Sequence, residues 1–254
     1  MVVGLDRWRE HFAGFEDRYA LVGGVACDRL FEEAGIEFRA TKDLDVVLLV
    51  ELLDASFAER FWAFVEAGGY ERRAKADGGK LYRFQTPKDP DYPYMIELFS
   101  RAPAGVELTA DAHLTPLPID EEVSSLSAIL LDSDYYDYLK ANLVEVSGLP
   151  ILSEIGLIPF KARAYLDLSA RKAAGKAGDH RHIRKHLNDV FRLGQLLATN
   201  AAFALPAPLQ KDLGAFLVAA AGDEGFNPKH LGLAIYREEA IDRLMRAYGL
   251  KAEP

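Results

Sequence analysis

One cysteine, Cys27, stands in 254 residues. That excludes an intramolecular disulfide framework and a cysteine-built zinc site. Long apolar runs are missing too: none approaches the roughly 20 residues that a membrane-spanning helix needs. The stretch from Met1 to Trp8 carries Asp6 and Arg7 where a secretory leader needs apolar residues. A soluble, cytoplasmic protein is the expectation, with no membrane partner. Positive charge is in deficit, with 30 Lys and Arg against 39 Asp and Glu, a net charge of −9. A uniformly acidic chain binds nucleic acid poorly, because neutralising phosphates dominates that affinity.

The charge is not uniform. Between Lys161 and Arg192 nine basic residues (161, 163, 171, 172, 176, 181, 184, 185 and 192) face three acids, Asp167, Asp179 and Asp189. That local net of +6 leaves −15 for the remainder. Such a run is either a solvated helix face or an anion-binding surface.

Half of the residues are hydrophobic (50%), enough to bury one large core or two modest ones. Leu5, Trp8, Phe12 and Phe15 give helical spacing over 4–17. Tyr19 to Val22 is a short apolar run ending at Gly23-Gly24, which suits a buried strand entering a tight turn. A helix fits 25–34, stopped by Gly35. Leu44 to Val50 is a nearly continuous apolar run, the signature of a central buried strand. Residues 54–67 read as helix, stopped by Gly68-Gly69. Strands fit 80–86 and 94–99 across a Pro/Asp-rich loop, with weaker strand signals at 113–118 and 126–131. From 133 onward the spacing is helical, over 133–142, 154–174, 179–199, 207–221 and 229–247. Pro159 is expected to start or kink a helix. The segment 143–153 reads as a connection. The fold class is therefore an α/β (α+β) domain with a mixed sheet over 1–142, followed by an all-helical domain over 143–254.

Asp43-Leu-Asp45 opens the strongest strand. Residues i and i+2 of a strand share a face, so both carboxylates project together, about 6–7 Å apart along the chain. A hard divalent cation such as Mg²⁺ satisfies such a pair; a turn cap, or pairing with Lys42 or Arg39, is the plainer alternative. Gly23-Gly24, between a strand and a helix, lets backbone N–H groups approach a phosphate with a helix N-terminus behind them. The spacing is not that of a dinucleotide fingerprint. Glu97 lies inside the apolar strand Tyr94-Met-Ile-Glu-Leu-Phe99. A carboxylate there is costly unless it is paired with a cation or binds metal.

Strand, Gly-Gly, helix, then Asp-x-Asp on the next strand and one acid on a later strand resembles the polymerase-β-like nucleotidyltransferase superfamily. Within it the chain is most similar to AbiEii-type nucleotidyltransferases, many of them toxins of type IV toxin–antitoxin systems. Leu21-Val-Gly-Gly-Val-Ala-Cys-Asp-Arg29 matches the family's glycine motif, and Thr41-Lys-Asp-Leu-Asp45 its second. Leu149-Pro-Ile-Leu-Ser-Glu-Ile-Gly-Leu-Ile-Pro-Phe-Lys161 resembles the third, whose lysine falls at Lys161. Lys185-His-Leu-Asn-Asp189 resembles the fourth. Two positions depart: Val25 stands where many relatives have Ser or Thr, and His186 where an acid is common.

The resemblance implies a nucleotidyltransferase fold that transfers NMP from an NTP such as ATP. Asp43, Asp45 and Glu97 would bind Mg²⁺ or Mn²⁺, with Glu97 also accepting the attacking hydroxyl's proton. Gly23, Gly24, Thr41, Lys42, Lys161 and Lys185 would contact the nucleotide, and Asp189 would orient a lysine or meet the acceptor. The implied partners are an NTP, a tRNA or other RNA acceptor, and a cognate antitoxin. An antibiotic-type small-molecule acceptor and a non-catalytic binding module are the alternatives. Elsewhere, His182 and His186 have a spacing that zinc sites use, against solvated histidines or phosphate contacts. Tyr135, Tyr136 and Tyr138 offer base stacking, against ordinary helix packing. Arg72, Arg73, Lys75 and Lys80 flank Gly78-Gly79 as a hairpin or nucleotide contact.

Overall fold

The computed structural model describes residues 2–72, 83–100, 106–109, 112–114, 129–130, 132–175 and 180–250. Helical spacing at the start produces α1, Leu5–His11. It ends earlier than the spacing predicts, with Phe12 as its C-cap, and the backbone turns at Gly14 with φ +86°. Strand β1, Tyr19–Val22, is buried along its whole length and leads directly into α2, Gly23–Glu33. Then come β2, Asp43–Leu48, and α3, Ala55–Gly68. Asp54 caps α3 by accepting from Phe57 N–H, and Gly69 closes it in the left-handed conformation at φ +61°. Strands β3 (Glu71–Arg72), β4 (Arg83–Gln85), β5 (Met95–Ser100), β6 (Val106–Thr109) and β7 (Ala112–Leu114) follow. Helix α4 is Ser133–Ala141; β8 is Leu143–Val146 and β9 Leu149–Leu152. The chain finishes with α5 (Glu154–Ala173), α6 (His180–Gly194), α7 (Ala207–Gly222) and α8 (Arg237–Ala247).

Two compact units result. One comprises Met1–Val123 with Leu143–Ser153; the other comprises Ser124–Asn142 with Glu154–Pro254. The first holds a seven-stranded mixed sheet in the order β3-β4-β5-β2-β1-β9-β8. The β2/β5 and β1/β9 pairs are parallel, and the others antiparallel. Residues 143–152 are thus a hairpin at the sheet's edge, not the connection their sequence suggests. Ser147 (φ +53°) and Gly148 (φ +77°) form its two-residue turn, and positive φ at both positions matches the natural strand twist. Within the strand expected over 126–131, Ile129 and Leu130 are helical, and the other positions lie outside the described residues. Trp8 centres the aromatic core of this unit, with ring centroids 4.1 Å from Phe12, 5.6 Å from Tyr19 and 5.3 Å from Phe64.

The second unit is helical. Pro159 lies inside α5 without ending it. Proline lacks the N–H that the Ile155 carbonyl expects. The Tyr248 hydroxyl donates to that carbonyl instead, at 3.0 Å. Tyr135 and Tyr136 are almost fully buried and Tyr138 nearly so, as helix packing requires. Among the described residues no helix is long and apolar enough to cross a membrane.

Candidate active site

Strand register builds the site. β1 runs antiparallel to β2, so its last residue, Val22, lies opposite Asp45. The chain then turns at Gly23, φ +67°, into α2. β5 runs parallel on the other side of β2, pairing Asp43 with Met95 and Asp45 with Glu97. β4 pairs Arg83 with Glu97. One row across the sheet therefore reads Val22, Asp45, Glu97, Arg83. Side chains alternate along a strand, so Asp43, Asp45 and Glu97 share a face. All three are partly exposed, and the other residues of β2 are buried.

The two glycines have a steric reason. A Cβ on Gly23 would lie 1.8 Å from Asp45 Oδ2, and one on Gly24 would lie 2.4 Å from Thr41 Oγ1. The Asp45 carboxylate thus rests against the backbone where α2 begins. The Thr41 hydroxyl packs on the next residue. No side chain caps α2 from Val22. The N-terminus of a helix attracts anions. The structure brings together Gly23, Gly24, Thr41, Asp43, Asp45 and Glu97, and places exposed Lys42 at the same end of β2. Lys42 Nζ lies 6.0 Å from the ring centre of Tyr94.

Glu97 has the cationic partner that its burial demands. Arg83 Nε donates to Glu97 Oε1 at 2.5 Å, and Nη2 forms an ion pair with the same oxygen. Sequence reasoning passed over Arg83, although a basic residue two positions from Gln85 on an alternating strand was visible. Its meaning depends on register with β5. Among the described residues, no three Asp, Glu, His or Cys side chains converge into a metal-binding group. That holds for the histidines at 182 and 186 as well. Residues 73–82, with Arg73, Lys75 and Lys80, lie outside the described residues.

Lys161, Lys185 and Asp189 belong to the helical unit. Lys161 Nζ meets Asp189 Oδ2 at 2.9 Å, with side chains only 5% and 1% exposed. Of the two lysines that the sequence offers Asp189, this contact joins it to Lys161, tying α5 to α6. Other cations of the basic run have partners from outside it. Arg163 contacts Asp212 at 2.8 Å as well as Asp167 at 3.1 Å, and Arg184 contacts Asp223 at 2.8 Å. Tyr135 also donates to Asp212. Burial pushes the Asp167 carboxyl up despite Arg163 beside it.

No family model and no curated protein matches the chain. Among solved structures, the antibiotic-resistance factor ANT(2″)-Ia, determined in solution, is similar at 14% identity over 80% of this chain and 84% of that one. The TM-score is 0.35, too low to carry fold or function across.

Proposed function

We propose that this chain is a metal-dependent nucleotidyltransferase that moves NMP from an NTP to an acceptor hydroxyl. The observation behind the reading is the Asp45 carboxylate seated against Gly23 at the start of α2, with Asp43 beside it on one face. Two carboxylates at that spacing fit a Mg²⁺ or Mn²⁺ ion whose other positions go to substrate phosphates and water. Asp43 and Asp45 would hold the ion, which would draw negative charge from the α-phosphate as the bond changes. The backbone N–H groups at the start of α2 receive phosphate oxygens, where the helix end favours negative charge. Thr41 and exposed Lys42 add a hydroxyl and an ammonium at the same edge. Glu97, in register with Asp45, stands beside the pair and is engaged by Arg83. Lys161 and Asp189, buried against each other, hold the helical unit together.

Charge pairing supports one choice of acceptor. An RNA acceptor, and with it the toxin and antitoxin reading, leans on the basic run at 161–192. Asp212 and Asp223 pair with Arg163 and Arg184, lowering that local net from +6 to +4. Lys161 is buried as well. A small hydroxylated, cationic acceptor suits a chain whose remainder is strongly acidic. The test is label transfer from α-labelled NTPs to total RNA and, separately, to a panel of aminoglycosides. EDTA should abolish transfer and Mg²⁺ restore it. Transfer indifferent to EDTA overturns the metal-dependent reading, and transfer to RNA alone overturns the small-molecule acceptor.

A further inference from the structure

Arg83 lies in the carboxylate row yet has no part in the reading above. It is one-third exposed, and Glu97 less than one-fifth. Both guanidinium contacts fall on one oxygen, Glu97 Oε1. Register fixes the arrangement: Arg83 and Asp45 flank Glu97 on neighbouring strands, about 4.8 Å to either side. Without Arg83, three carboxylates would share one face with mutual repulsion. With it, Glu97 is neutralised beside the Asp pair. Buried or half-buried charge of this kind sets the local field at close range, where solvent screens it weakly.

We infer that Arg83 is a positioning residue that sets the affinity of the Asp43/Asp45 pair for a divalent cation, by holding Glu97 away from the ion and cancelling its charge. The inference rests on the metal-dependent reading of this site. Removing the guanidinium leaves Glu97 as an added, unneutralised carboxylate beside the pair. Hard cations then bind more tightly, because affinity in oxygen sites rises with ligand charge count. Removing the Glu97 charge instead leaves a bare cation beside the pair and weakens binding. Removing both restores the original balance.

The experiment is Mn²⁺ binding to the full chain, followed by loss of the free-ion EPR signal, with circular dichroism as the check on folding. Arg83→Gln should bind Mn²⁺ about tenfold more tightly than wild type, and Glu97→Gln about tenfold more weakly. Arg83→Lys, which keeps the charge, should stay near wild type. The double variant Arg83→Gln/Glu97→Gln should return to within about twofold of wild type. A double variant as weak as Glu97→Gln makes Glu97 a direct ligand and overturns the inference. So does unchanged affinity in Arg83→Gln. If Arg83→Gln does not fold, Glu97→Gln and the double variant still decide. Asp45→Asn separates the two levels. Should it bind Mn²⁺ as wild type does, the metal-site reading itself fails; Asp45-dependent binding that ignores Arg83 sinks only the role given to Arg83.

Discussion

The acids buried between helices and the acids on the carboxylate face of the sheet are balanced differently. In the helical unit Asp189 meets Lys161, Asp212 meets Arg163 and Asp223 meets Arg184. In the sheet unit Asp43, Asp45 and Glu97 crowd one face, with Arg83 engaging Glu97. Ion pairs of this kind tie helices to one another. A surplus of one sign costs stability and is kept where a ligand of the other sign completes the balance. Under the proposed reading, the chemistry belongs to the carboxylate face of the sheet unit and the buried pairs of the helical unit are scaffold.

Breaking each side separates them. Asp189→Ala strands the Lys161 ammonium in the interior and should cost about 3–5 kcal/mol in urea unfolding. Asp45→Ala, at a half-exposed position on the carboxylate face, should cost clearly less. Equal destabilisation by both would erase the distinction. Gly23→Ala is next. Its methyl group meets the Asp45 carboxylate, and φ +67° disfavours a side chain. It should cost about 1–3 kcal/mol and also reduce nucleotidyl transfer; full activity in that variant would detach the glycine turn from the site. Tyr248→Phe removes the hydroxyl that answers the Ile155 carbonyl above Pro159. A loss of about 1–2 kcal/mol is expected, and none if water replaces the hydroxyl.

The smallest effect concerns acid. The Ser56 hydroxyl, then Arg18, then the Phe57 N–H hold the Asp54 carboxyl well below its ordinary value near 3.8. A depressed carboxyl adds stability above its unfolded value and loses it as pH falls through the folded one. The stability gap between wild type and Asp54→Ala should therefore be constant down to about pH 4 and shrink below it. A gap that persists to pH 2 contradicts this.

Local signals carried much of the fold. The β2 run, the glycine stops after α3 and the i,i+2 spacing of Asp43 and Asp45 rest on neighbours in the chain, so periodicity shows them. The β8/β9 hairpin did not stand out, because Pro150 weakens its strand pattern; Ser147-Gly148 was the turn signal to heed. Arg83, Asp212 and Asp223 stayed hidden for another reason. Each acquires its meaning from a partner at least 14 residues away, through register or helix packing. The contact of Gly23 with Asp45 is likewise a product of β1 lying antiparallel to β2. A charge count over a window sees none of this, which is why the run at 161–192 read as more basic than its folded surroundings make it.

The most direct measurement is NMP transfer from an α-labelled NTP by wild type and by Asp45→Ala, with folding verified by circular dichroism. A loss of about 10³-fold or more with the fold intact is the expected result. Transfer within about threefold of wild type would show that the Asp43/Asp45 pair is not where the chemistry happens.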